Sequence, residues 1–201
     1  MIRKPRRMNL LKQIFQSQEQ EARRKLMAWI FGHIDLRPED QVLEIGFGLG
    51  ALLQMAAKNV TQGKIVGVEI SAAMVKAATE LNAKAISAGR MEIIEADANN
   101  LPYENDHFDK VFALNVVYFW TNLTKTVNEL CRIIKPGGII ALYLAPRILL
   151  EDMKKYRFGH FAMHEPDDVV KALQQLGFNP IVVEQTESHK GTVHCVIGVQ
   201  T

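Results

Sequence analysis

The chain has 201 residues, 48% of them hydrophobic and 23% charged, with a formal net charge of +2. That balance is ordinary for a globular domain and excludes collagen-like, low-complexity and strongly charged disordered classes. No apolar run approaches the roughly 18 residues of a membrane span.

The elements follow in chain order. Residues 9–34 carry Leu11, Ile14 and Phe15, then Leu26, Met27, Ile30 and Ile34, at helical spacing, and Pro38 ends that stretch. From residue 41, short apolar runs alternate with longer amphipathic ones. Strands are predicted at 41–45, 64–69, 91–95, 110–114 and 139–144. Helices are predicted at about 50–59, after Ser71, and at about 122–134, where Pro136-Gly137-Gly138 marks a stop. Pro166 opens a further helix that ends at Gly177. Two β-rich runs, 180–185 and 193–200, are separated by too few residues for a crossover helix, so they should pair antiparallel. The predicted fold is α/β: a Rossmann-like, mostly parallel seven-stranded sheet with helices on both faces and a C-terminal antiparallel hairpin. The predicted division is an N-terminal helical cap, 1–39, and a domain, 40–201.

Charge is unevenly placed. Residues 1–37 carry nine basic and three acidic side chains, net +6, which leaves the remainder at −4. Such an arm is either a solvated tail or a weak contact to an anionic surface or ligand. The opening residues lack the apolar core of a secretory signal. Cys131 and Cys195 match no metal or redox spacing. The expected location is cytoplasmic. His160 and His164 stand four apart without an evident third ligand, so no metal is expected.

The most informative stretch is Val42-Leu43-Glu44-Ile45-Gly46-Phe47-Gly48-Leu49-Gly50. A strand ends and a helix begins across glycines, which tolerate positive φ and let a ligand approach the backbone. Nineteen residues after Gly50, Glu69 closes the second strand, where a carboxylate can accept from ribose hydroxyls. Gly46, Gly48 and Ala51 also satisfy the dinucleotide pattern, so the loop alone does not separate nicotinamide from other adenosine cofactors. Glu44 inside the first strand suits an amine-bearing ligand better than a pyrophosphate. Asp97 after the third strand can accept from an adenine amino group.

Together these segments resemble the class I S-adenosylmethionine-dependent methyltransferases, small-molecule branch, which contains the ubiquinone/menaquinone-type enzymes. VLEIGFGLG is similar to their first motif and VGVEISAAMV to their second-strand segment. EADANNLPYENDHFDKVFALNVVYF and IIKPGG resemble the segments around the third to fifth strands. Phe47 is a bulky departure between the first two glycines. The resemblance implies an S-adenosyl-L-methionine site built from Glu44, Gly46, Phe47, Gly48, Gly50, Glu69, Ile70, Met74, Asp97, Ala98 and Asn115. Glu44 and Asn115 would lie nearest its methionine end.

Methyl transfer from a sulfonium needs alignment above all, and a base only if the acceptor keeps its proton. Tyr118, after the fourth strand, and His160, after the fifth, are the candidate catalytic residues. Phe119 and Trp120 are read either as an apolar wall or as helix-start core. Phe15, Trp29 and Phe31 are candidates to close the pocket. The expected partner is a small-molecule acceptor, with lipid- or quinone-like chemistry as the candidate class; no basic-aromatic array indicates nucleic acid. An NAD(P)-dependent oxidoreductase and a catalytically silent cofactor-binding partner protein are the alternatives.

Overall fold

The computed structural model describes residues 25–26, 28–146, 148, 150–151, 162–188 and 191–201. His160 and Phe15 lie outside them. Seven strands form one sheet: β1 (Gln41–Ile45), β2 (Lys64–Glu69), β3 (Met91–Glu95), β4 (Phe108–Leu114), β5 (Ile134–Leu144), β6 (Ile181–Ser188) and β7 (Gly191–Val199). Their order is β3-β2-β1-β4-β5-β7-β6. The first five are parallel; β7 runs antiparallel to both β5 and β6. This is the expected architecture.

Helices cover both faces. On one side lie helical residues 28–34 (α1), α2 (Ala51–Ala56), α3 (Ala72–Leu81) and α4 (Ala83–Ser87), packed over Val42, Ile65, Phe112 and Tyr143. On the other lie α5 (Leu123–Ile133) and α6 (Pro166–Gln175), packed over Leu43, Val66, Val111 and Leu142. Residues of one strand therefore alternate between two cores, as a sheet buried on both faces requires. Among the described residues, no helix is long and apolar enough to cross a membrane.

Most boundaries agree with the expected ones to within a few residues; β5, the helix after the glycine loop and the capping role of Ser71 differ. β5 begins at Ile134, five residues before the predicted strand. Its Pro136-Gly137-Gly138 is absorbed as a bulge against β4, where the register jumps from Phe108↔Ile134 to Lys110↔Ile139. Gly137 donates to the Gln200 carbonyl and Gly138 accepts from Gln200, so tertiary pairing replaces the expected stop. The helix after the glycine loop is short, ending at Ala56 in a turn. Ser71 occupies the N-cap position of α3, but its side chain caps nothing; its N–H donates to Glu69 instead.

The segment containing Trp29 and Phe31 packs on the sheet. Ile30 and Ile34 are buried, Trp29 meets the Tyr143 ring edge-on at 5.8 Å, and the Tyr143 hydroxyl donates to the Ile30 carbonyl at 2.8 Å. Trp29 and Phe31 thus lie on α1, partly buried against the core, and are not among the residues lining the cleft described next.

Candidate active site

The strand order reverses between β1 and β4, with connections leaving to opposite sides. That split opens a crevice at the carboxyl ends of the strands. A cleft of about 570 Å³ occupies this place. β1 and the loop after it contribute Ile45 and Gly46, β2 contributes Val68 and Glu69, the turn after β3 contributes Asp97 and Ala98, and the turn after β4 contributes Asn115 and Val116.

The glycine loop is shaped by backbone sterics. Gly46, Gly48 and Gly50 all have positive φ, at 68°, 56° and 75°. A Cβ on Gly46 would lie 2.5 Å from Val116 Cγ2, and one on Gly50 would lie 2.7 Å from Ala78 Cβ. Gly48 has open space at the same position and faces the cleft. Behind the loop, buried Asn82 donates through Nδ2 to the carbonyls of Gly50 (3.1 Å) and Ala78 (2.9 Å), tying the loop to α3.

Glu69 gathers the backbone at the cleft's centre. Its Oε2 accepts from Gly48 N–H at 3.2 Å, and its Oε1 from Ile70 and Ser71 N–H at 3.0 and 3.1 Å. Asp97 Oδ1 accepts from the backbone and side-chain nitrogens of Asn99, at 2.9 and 2.8 Å. Asn99 in turn accepts from Thr126 on α5 at 2.8 Å. Both carboxylates are therefore held in place while still lining the cavity.

Glu44 lies beneath the floor, one residue below Ile45, and is only 2% exposed. Its Oε2 has no hydrogen-bond partner, and neither does the buried Oδ1 of Asn115. Asn115 sits at φ 55°, a left-handed conformation that a non-glycine residue adopts at a cost. Burial, and then the neighbouring Glu69 charge, push the Glu44 carboxyl up to about 8.

Of the predicted cofactor residues, Gly46, Gly48, Glu69, Ile70, Met74, Asp97, Ala98 and Asn115 converge on the cleft. Glu44, Phe47 and Gly50 do not line it. Phe47 turns into the core against Gly67, whose missing Cβ would lie 2.7 Å from the Phe47 ring, so a bulky residue between two glycines fits here. Phe119 (47% exposed) and Trp120 (5% exposed) both line the cleft, so each is wall and Trp120 is core as well. Tyr118 packs with Ala145, Leu150 and Met163, and burial raises its hydroxyl above the ordinary phenol range. His164 Nε2 lies 2.8 Å from the Trp120 carbonyl and must donate to it, because a carbonyl only accepts. Asn82, Asn99 and Val116 escaped sequence reasoning. An amide four residues after Ala78 on the buried side of a helix, and the Asp97-Ala-Asn99 turn, were the available signals.

Residues 43–142 match the family described as a methyltransferase domain. An uncharacterised methyltransferase of Bacillus subtilis is 29% identical over 122 residues, 61% of this chain and 65% of that protein. The 27-O-demethylrifamycin SV methyltransferase of Amycolatopsis mediterranei is 29% identical over 179 residues, 85% of this chain and 65% of the other. The ubiquinone/menaquinone biosynthesis C-methyltransferase of Francisella philomiragia is 29% identical over 159 residues, 77% and 58%. The chain spans less than two thirds of the length of these relatives. A SAM-dependent methyltransferase from Aquifex aeolicus shares the fold with a TM-score of 0.68 at 20% identity, covering 87% of this chain and 89% of that one.

Proposed function

The chain belongs to the class I S-adenosylmethionine-dependent methyltransferases, and on that premise we propose that it transfers a methyl group to a small, largely apolar acceptor. The observation that carries the reading is the charge of the cleft. Glu69 and Asp97 line it, Glu44 lies beneath it, and among its described lining residues there is no Lys, Arg or His. A dinucleotide pyrophosphate would meet only repulsion from such a wall. A cofactor with an ammonium and a sulfonium meets complementary charge.

The residues present fit S-adenosylmethionine. Glu44 Oε2 and Asn115 Oδ1 are buried acceptors that lack donors, and an amino-acid ammonium brings donors. Glu69 is placed for the ribose hydroxyls, and Asp97, with Ala98, for the adenine edge. Ile70 and Met74 supply the apolar cover. When bound, the cofactor supplies an electrophilic methyl that is displaced in line. The chain's own part is to bind, orient and exclude water. Phe119 and Trp120 form the apolar wall toward the acceptor.

On the acceptor side, Tyr118 and His160 remain the proposed catalytic pair. A buried phenol with a raised pKa serves better as a hydrogen-bond donor to the acceptor than as a base. A lipid- or quinone-like acceptor matches the apolar wall, and one of the relatives is named for ubiquinone/menaquinone biosynthesis. Residues 1–39 are proposed to cap the domain; their described part, α1, is anchored through Ile30. The basic residues of 1–37 give that cap a weak attraction for an anionic surface or for an anionic group on the acceptor.

Calorimetry and thermal shift with S-adenosylmethionine, S-adenosylhomocysteine, NAD and NADP test the reading. Both sulfur compounds should raise the melting temperature, because a ligand of the native state alone stabilises it. Asp97→Ala and Glu69→Ala should weaken their binding with the circular-dichroism spectrum unchanged. Stabilisation by NAD(P) alone would establish the oxidoreductase alternative. Binding without methylation across broad acceptor panels would establish the silent partner.

A further inference from the structure

Glu44 is an unusual group to bury. It carries the only carboxylate oxygen among the described residues that is both buried and without a hydrogen-bond partner. Among the described residues its surroundings offer it no cation. On the β2 side stands Glu69, a like charge. On β4 the nearest cation is Lys110, which pairs with Val42 two residues toward the amino end and acts on Asp109. α2 has no titratable side chain. On α1, His33 Nδ1 is engaged with the Trp29 carbonyl at 2.8 Å. On β5 and β7, Tyr143 donates to Ile30, and Cys195 is a buried thiol pushed up to about 12.

A buried carboxylate beside a like charge, with no counter-ion, is expensive as an anion. It is tolerated as a neutral acid until a cation arrives. The second orphan acceptor, Asn115 Oδ1, stands at the end of the adjacent strand, with its N–H already used on the Tyr143 carbonyl at 3.1 Å. One unpartnered acceptor on the cleft wall and a second buried beneath its floor call for a ligand group that brings several N–H donors and a positive charge, reaching the buried one directly or through a bridging water.

Building on the cofactor reading above, we propose that Glu44 is a proton-exchanging anchor: neutral in the empty cleft, it ionises and releases its proton to solvent when the cofactor's ammonium binds. Cofactor recognition is then an exchange of one cation for another, and it discriminates by the ammonium. An adenosine thioether that lacks the amino acid end makes the same adenine and ribose contacts without driving the exchange. Affinity for the full cofactor falls as the pH drops, because protons compete for the same carboxylate. The carboxyl's position near 8 places this competition in the neutral range.

Titration calorimetry with S-adenosylhomocysteine, in buffers of differing ionisation enthalpy between pH 6.0 and 7.5, counts the protons directly. At pH 7 the release should be about 0.9 proton per ligand, and the Kd should rise roughly ninefold from pH 7 to pH 6. With 5′-methylthioadenosine the release should be near zero and the Kd flat. Glu44→Gln should abolish both the release and the pH slope for S-adenosylhomocysteine. Binding of S-adenosylhomocysteine without proton release, or release undiminished in Glu44→Gln, overturns the exchange and leaves the cofactor reading standing. Failure of S-adenosylhomocysteine to bind overturns the cofactor reading and the exchange with it. Should Glu44→Gln not fold, the wild-type proton count and the thioether comparison still decide.

Discussion

Gly46→Ala should destabilise the protein by two separable routes. The first is conformational: Gly46 has φ 68°, and a side chain in that left-handed region costs about 1–2 kcal/mol. The second is steric. The new methyl would lie 2.5 Å from Val116 Cγ2 and 2.9 Å from its Cβ. Val116 has little freedom to retreat, because the preceding Asn115 N–H is bonded to Tyr143 and its own carbonyl accepts from Phe119 at 2.9 Å. Overpacking of this kind costs about 1–3 kcal/mol. Together the loss should be about 2–5 kcal/mol, a fall in melting temperature of roughly 4–20 °C for a chain of this size. Val116→Ala removes both γ-methyls, including the 2.5 Å contact, and should relieve part of the steric cost, leaving the Cβ contact and the conformational part. Urea unfolding of the wild type, both single variants and the double variant closes the cycle. A Gly46→Ala protein within about 0.5 kcal/mol of wild type would refute the reasoning. So would a cycle in which the two changes simply add.

Two further outcomes follow. In the cofactor-free protein, Glu44 holds its proton up to about pH 8, whereas the unfolded chain loses it near 4.5. The native state therefore binds more protons in that window, and stability should fall as pH rises through it, by at most about 5 kcal/mol; Glu44→Gln should flatten this slope in denaturant titrations and leave the variant the more stable protein at pH 9. Asn82→Ala removes two buried hydrogen bonds and should cost about 1–3 kcal/mol. It should also weaken S-adenosylhomocysteine binding in calorimetry, because the glycine loop loses its brace to α3.

The sheet's parallel half was legible because local and tertiary signals agree there. β1, β2 and β3 have the boundaries that their apolar runs predict. β5 was harder. Pro136-Gly137-Gly138 is a stop signal by local chemistry, but Gly137 and Gly138 pair with Gln200, about sixty residues on, and a bulge carries the strand through. No local pattern contains that contact. In the cleft, the glycines, Glu69 and Asp97 were visible because backbone conformation and strand ends position them. The neutral state of Glu44 was not, since it depends on which side chains the neighbouring strands and helices turn toward it. Nor was the core placement of Phe47, which rests on the single glycine facing it in β2.

Strand β7 fills the slot between β5 and β6 although it is synthesised after both. Among the described residues β6 pairs with no other strand, so it joins the sheet only once residues 191–199 have paired. Until then the β5 edge from Ile139 to Leu144, almost wholly apolar, stays open as a template for neighbouring nascent chains. Without β7, β6 therefore has no strand to pair with and the β5 edge stays uncovered. A stalled or truncated transcript would yield a chain with its cleft-forming strands paired and its most adhesive edge uncovered.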